Sequence, residues 1–130
     1  MIKMSFDLKE GINSIVEITV SEKDTAIEHG SGDLPVFATP AMIGLMENAA
    51  KGCVGSHLTS EFTTVGIDIS VKHIKATPLN MKVKGEAVLE KIDGKKLFFK
   101  VNAWDELGKI GEGTHVRYIV NSKDFMERIK

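Results

Sequence analysis

The chain has 130 residues, 42% apolar and 27% charged, which suits a single globular domain (1–130) and excludes a mainly disordered chain. Its 17 basic and 18 acidic residues leave a net charge of −1, without the clustered positive surface that nucleic-acid binding needs; Lys72 to Lys84, the densest basic stretch, alternates with apolar residues as the wet face of strands does. The apolar runs are far too short to span a membrane, MIKMSFDLKEG carries no signal-peptide core, and the single Cys53 excludes an internal disulfide and points to a reducing compartment, so a cytoplasmic protein is expected, with neither nucleic acid nor membrane as partner.

Asn13–Val20 is rich in β-formers and partly alternating, and predicts a first strand. Ser21–Phe37 carries charge, three glycine or proline breakers and little periodicity, and predicts a loop with room for a helical turn. Thr39–Val54 predicts a long helix, with Thr39 suited to its N-cap and Pro40 to its first position. Met42, Leu45, Met46, Ala49 and Cys53 form one apolar stripe; Ile43, Ala50 and Val54 form a second beside it. A helix so widely apolar is expected to be buried on most sides, ending at Gly52 or Gly55.

From Phe62 the period becomes two. Thr63, Val65, Ile67, Ile69, Val71 and His73 fall on one strand face, and Asp68, Ser70 and Lys72 on the other. Leu79–Lys91 alternates again, Asp93-Gly94 predicts a type I′ hairpin, and Leu97–Trp104 predicts the next strand. Leu107-Gly108 marks another tight turn. Ile110–Val120 predicts the last strand, with Ile110, Val116, Tyr118 and Val120 in register, and Asp124–Ile129 a terminal helical turn. The order predicts an α+β domain in which one long central helix is wrapped by a curved five-stranded antiparallel sheet. Its edge strands need a cover, and pairing with a second copy would supply one, so a homodimer is expected.

Candidate chemistry is sparse. Glu47 sits in the stripe of Ile43, Ala50 and Val54. It reads either as a partly exposed side chain paired with Lys51 at i+4 or as a carboxylate desolvated in a cleft and useful as a general base. Thr39 reads as a plain N-cap, or as a hydroxyl at a helix start where a developing oxyanion is welcome. His73 reads as a core-edge histidine or, unless a bulge intervenes, as an inward group on its strand. His115 and Arg117 share a face of the last strand, after Gly111 and Gly113; the plain reading is the solvated side of an edge strand. Arg117 is still notable, because the chain has two arginines against fifteen lysines. There is no phosphate loop, dinucleotide fingerprint, GxSxG elbow or HExxH, and the four histidines and one cysteine lack metal-ligand spacing. Cys53 reads as core.

These residues resemble the hotdog-fold acyl-CoA thioesterases, specifically the fluoroacetyl-CoA thioesterase-like family. Val36-Phe37-Ala38-Thr39, with Glu47 eight residues on, resembles its helix-start motif. His73 follows Glu47 by twenty-six residues and Gly66 precedes His73 by seven. Gly113-Thr114-His115-x-Arg117 resembles the last-strand motif, and the likeness runs from about Val36 to Val120. The resemblance implies a hotdog fold and hydrolysis of a small acyl-CoA to free acid and coenzyme A. It implies Thr39, Glu47 and His73 as catalytic residues and Phe37, Gly66, His115 and Arg117 as substrate-binding ones. It implies no metal, no cofactor beyond the coenzyme A of the substrate, and a homodimer with its active site at the subunit interface. Glu47 would then attack the thioester or activate water, Thr39 would hold Glu47 or the substrate in place, and His73 would carry protons to the departing sulfur. Two rival readings are a non-catalytic acyl-CoA-binding or dimerisation module and a hotdog-fold hydratase or dehydratase. The hydrolase reading requires Glu47 and His73 to meet in one crevice, with help from a second subunit.

Overall fold

The computed structural model describes residues 6–130. Residues 1–5, where the stretch without a signal-peptide core begins, lie outside the described residues. Among the described residues the alternating segments form one antiparallel sheet of five strands: β1 (Asn13–Thr19), β2 (Phe62–His73), β3 (Lys82–Asp93), β4 (Lys96–Asp105) and β5 (Gly108–Asn121). Their order across the sheet is β1-β3-β4-β5-β2. The long apolar segment forms α2 (Thr39–Gly55). The loop between β1 and α2 holds a 3-10 turn at Glu22–Asp24 and the single turn α1 (Ala26–His29), and α3 (Ser122–Arg128) follows β5. No helix among these is long and apolar enough to cross a membrane.

The helix lies on the concave face because both partners are apolar there. Val83, Ala87 and Leu89 of β3 and Leu97, Phe99, Val101 and Ala103 of β4 point inward beneath Met42, Leu45, Met46, Ala49 and Cys53, and all are buried. Burying each of the larger side chains contributes about 1.5–3 kcal/mol. The approach is close: a Cβ on Gly85 would stand 2.7 Å from Leu45 Cγ, so the helix rests on bare strand backbone. The sheet bends around the helix at three register shifts, at Gly66/Asp68, Leu89/Lys91 and Ala103/Trp104. Such bulges increase local twist and bend the strand that carries them.

Four expectations need correcting. Ala38, not Thr39, is the N-cap residue of α2, and Thr39 already has helical geometry. The bulge in β2 reverses the faces of its first half: Thr64 points inward and is buried, whereas Ile67, expected inside with Thr63 and Val65, is 52% exposed. Ile69, Val71 and His73, beyond the bulge, keep the expected inward side. On β5 the inward residues are His115, Arg117 and Ile119 rather than Val116, Tyr118 and Val120, and β5 lies between β4 and β2 instead of at an edge. Finally, Asp93 and Lys96 flank the β3–β4 turn, and only Gly94 of its two central residues has positive φ (60°), which marks type II′ rather than I′.

Gly113 of the last-strand motif has a steric reason to be glycine. A Cβ there would run into the Ser70 carbonyl oxygen and stand 2.7 Å from Val71 Cα on paired β2. Gly113→Ala should therefore lower the urea-unfolding free energy by about 1–3 kcal/mol, because backbone cannot rotate away as a side chain can. An unchanged midpoint would contradict this packing.

Candidate functional site

Two groups of the expected residues form within the chain. The first lies where α2 begins. Thr39, on the exposed first turn, is 2.8 Å from His73 Nδ1 at the end of β2. Freed from the capping position, its hydroxyl reaches across the structure instead of back to its own helix. Phe37 is buried beside them, its ring edge-on to the imidazole at 6.4 Å between centroids and 79° between planes. Val36, Phe37, Thr39, His73 and Lys75 contribute to an open cleft of about 290 Å³. The Nε2 atom of His73 is buried without a hydrogen-bond partner among the described residues. Burial pushes this imidazole below its ordinary range, against an opposing pull from the Lys75 backbone.

The second group lies two turns along α2. Gly66, Ile69 and His115 line a smaller cleft of about 200 Å³ with half-buried Glu47. The point that a Cβ of Gly66 would occupy is 3.0 Å from Glu47 Oε2, 3.2 Å from His115 Cε1 and 3.4 Å from Arg117 Nη1. A Cβ at 66 would crowd the carboxylate, which would have to shift by a few tenths of an ångström. His115 is 1% exposed and Arg117 7%. Arg117 donates Nε–H to Thr64 Oγ1 at 2.7 Å and Nη2–H to the Thr64 carbonyl at 2.9 Å. Its Nη1 is 3.2 Å from His115 Nε2, while His115 Nδ1 is 2.7 Å from the Asp68 carbonyl. A carbonyl only accepts and a guanidinium only donates, so His115 carries its proton on Nδ1 and its lone pair on Nε2. Burial first, and the neighbouring Arg117 charge, lower the His115 pKa; the Asp68 carbonyl and the charges of Glu47 and Asp68 oppose them. Desolvation likewise lowers Arg117, against the attraction of Glu47.

The two groups do not merge within one chain. Glu47 and His73 occupy separate clefts, so the required meeting of carboxylate and imidazole is not made by a single subunit. Pattern reading also missed Thr64 and the Asp68 carbonyl, which hold Arg117 and His115. Gly66 inside a strand was the available sign of the bulge that turns Thr64 inward. A third missed cluster anchors the segment after His73. Asp105 accepts from Thr77 Oγ1 (2.8 Å), Leu107 N–H (2.8 Å) and Lys75 Nζ (3.0 Å), while Phe37 N–H donates to the Thr77 carbonyl (2.8 Å). Burial pushes the Asp105 carboxyl up, but Leu107, Lys75 and Thr77 together hold it below its ordinary range. Among the described residues no three His, Cys, Asp or Glu side chains cluster as a metal site would require.

Residues 20–123 match the family of fluoroacetyl-CoA-specific thioesterases. The fluoroacetyl-CoA thioesterase of Streptantibioticus cattleyicolor is 35% identical over 95 residues, spanning 73% of this chain and 68% of that protein. A solved structure of a fluoroacetyl-CoA thioesterase superposes with a TM-score of 0.88 at 29% identity, covering 94% of this chain and 95% of the other. A Thermus thermophilus member of the thioesterase superfamily superposes at 0.84 with 26% identity, covering 93% and 92%. One central helix against an open five-stranded antiparallel sheet, in this company, is the hotdog fold.

The two lowered histidines set a pH dependence. Below about pH 6.5 the unfolded chain protonates His73 and His115 while the folded chain does not, so stability is full above that pH and is lost as pH falls through the folded pKa values. Urea midpoints should therefore drop between pH 7.5 and 5.5, and His115→Gln should flatten that drop. A midpoint that rises on acidification would contradict the neutral assignment.

Proposed function

Because the chain belongs to the fluoroacetyl-CoA-specific thioesterase family, we propose that it hydrolyses small acyl-CoA thioesters to free acid and coenzyme A, at a site completed by a second copy of the chain. The observation that carries the second half is the division of the site. Thr39 and His73 stand at one end of the inward half of β2, and Glu47 stands over Gly66 at the other. Strand β2 is twelve residues long and ends the sheet, leaving one edge unpaired in the chain. Antiparallel pairing of two such edges about a two-fold axis near Ile69 and Ser70 sets the Gly66 end of one strand beside the His73 end of the other. Glu47 then faces the partner's Thr39 and His73. The pairing also covers exposed Ile67 and brings a group to the unpartnered His73 Nε2.

In that arrangement the Glu47 carboxylate faces the thioester carbonyl carbon: it takes a proton from a water that attacks there and expels the thiolate, or it attacks the carbon itself, expels the thiolate and leaves an acyl-Glu47 anhydride that a water then hydrolyses to free acid. Gly66 has no side chain of its own, which leaves its backbone within reach of the acyl carbonyl beside Glu47. Thr39, bonded to His73 Nδ1, fixes the ring so that Nε2 faces the reacting groups, where the imidazole takes up the proton released by the water and passes it to the departing sulfur. A thiol leaves with a pKa of about 8.5, so it needs less acid assistance than an amine would. Phe37 walls the cleft beside the imidazole. The chemistry asks for no cofactor beyond the coenzyme A of the substrate. Cys53, buried and free, keeps with a reducing, cytoplasmic setting.

Thiol release from acyl-CoAs of rising chain length tests the activity. The wild type should turn over short acyl-CoAs, and Glu47→Ala and His73→Ala should each lose at least about a hundredfold in kcat, the usual scale for removing a general acid or base. Unchanged rates in both variants would overturn the assignment, as would saturable binding without turnover or double-bond chemistry without thiol release.

A further inference from the structure

Thr39 and His73 stand where regular structure stops. His73 is the last residue of β2, and just past it Ile74 N–H makes a final bond to the Ile110 carbonyl at 2.7 Å. Thr39 opens α2 at a start without side-chain support: Ala38 carries no oxygen to cap with, and the first turn holds no acid. The regular hydrogen bonds of helix and strand therefore do not fix the pair. The loop before α2 supplies one hold, Ala38 N–H to the Asp24 carbonyl at 2.9 Å. The other hold is the segment that follows His73. The Thr77 carbonyl accepts Phe37 N–H at 2.8 Å, two residues before Thr39, and Val36 bridges to Pro78 beside it. Asp105, at the end of β4, anchors that segment. Its fully buried carboxylate accepts from Thr77 Oγ1 and Leu107 N–H at 2.8 Å each and from Lys75 Nζ at 3.0 Å.

We propose that Asp105 and Thr77 are positioning residues of the hydrolase: together they set the contact between the Thr39 hydroxyl and His73 Nδ1, and with it the direction of His73 Nε2. Neither lines the cleft of Thr39 or that of Glu47, and Thr77 is fully buried, so neither touches a substrate there. Stability alone is a weak reason for the cluster. Desolvating a carboxylate is costly, and apolar side chains often replace a buried ion pair without loss. What the carboxylate gives is a junction. One side chain joins the β4–β5 turn, the exit from β2 and, through the Thr77 carbonyl, the entry to α2. Thr77 is the stiffer link, because its hydroxyl sits one carbon from Cα, whereas Lys75 reaches Asp105 on a long, partly exposed chain. The inference rests on the thioesterase reading for its catalytic meaning, but the hold on the imidazole exists without turnover.

The test compares Thr77→Val, Thr77→Ser and Asp105→Ala with the wild type. Valine keeps the shape of threonine and removes the hydroxyl; serine restores it. Two quantities are measured: kcat and KM for a short acyl-CoA, and the ring 15N spectrum of His73 near pH 8, assigned with His73→Gln. A misplaced imidazole slows the reaction without weakening substrate binding, so Thr77→Val should lose about tenfold or more in kcat with KM within about twofold. Thr77→Ser should return to within about twofold of the wild type, and Asp105→Ala should lose at least as much as Thr77→Val. The wild-type ring should hold one neutral tautomer, and in Thr77→Val the two should average, because a ring released from Thr39 samples both. Leu89→Val, in the core at the Cys53 end of α2, is the control for lost stability: with a comparable drop in urea midpoint it should keep kcat within about twofold. Wild-type kcat in Thr77→Val would overturn the proposal. So would a loss carried by KM, an unmoved His73 tautomer, or an equal loss of kcat in Leu89→Val. If Asp105→Ala fails to fold, the Thr77 pair decides. If the wild type lacks turnover, the thioesterase reading fails and the His73 spectrum alone still decides this one.

Discussion

Thr39 and Glu47 lie on one helix eight residues apart, which at 1.5 Å per residue separates them by about 12 Å along its axis. No rotamer closes that gap. His73 is bound to Thr39 and Gly66 sits under Glu47, so the sheet repeats the same separation along β2. The carboxylate and the imidazole that the proposed hydrolysis brings to one carbonyl are therefore held apart on a rigid helix–strand pair. In the proposed dimer the unpaired edge of β2 joins them, through an antiparallel copy of itself.

Rigidity at that edge comes from close backbone approach. Gly85 lets α2 rest on β3, Gly111 accommodates Met42, and Gly113 lets β5 lie tight against β2. These glycines give up side-chain burial, and the gain is position: the helix cannot slide relative to strands that it touches at backbone distance. The Asp105 cluster works at the other end of β2, tying Lys75 and Thr77 to the β4–β5 turn and, through the Thr77 carbonyl, holding Phe37 against His73.

The helix, the five strands and their hairpins were legible because each follows a local period and each is long enough for that period to dominate. Glu47 was legible as an anomaly, a carboxylate in an apolar stripe. What escaped depended on contacts distant in sequence. Thr39 looks like an N-cap in its own window, and its true partner lies 34 residues away. Strict alternation carried Thr63, Val65 and Ile67 to the wrong face, because one bulged residue reverses everything before it. His115 and Arg117 looked solvated because β5 comes last in the chain, whereas the crossover puts β2 outside it. The neutral state of His115 depends on which atom faces which, and no spacing encodes that.

Mixed-subunit complementation tests the divided site most directly. Glu47→Ala and His73→Ala homodimers, each inactive, are unfolded together and refolded to exchange chains. If Glu47 of one chain serves the partner's His73, each mixed dimer regains one intact site, and a statistical mixture should recover about a quarter of wild-type activity. If no activity returns while mixed dimers form, the two residues act within one chain or not at all, and the account fails.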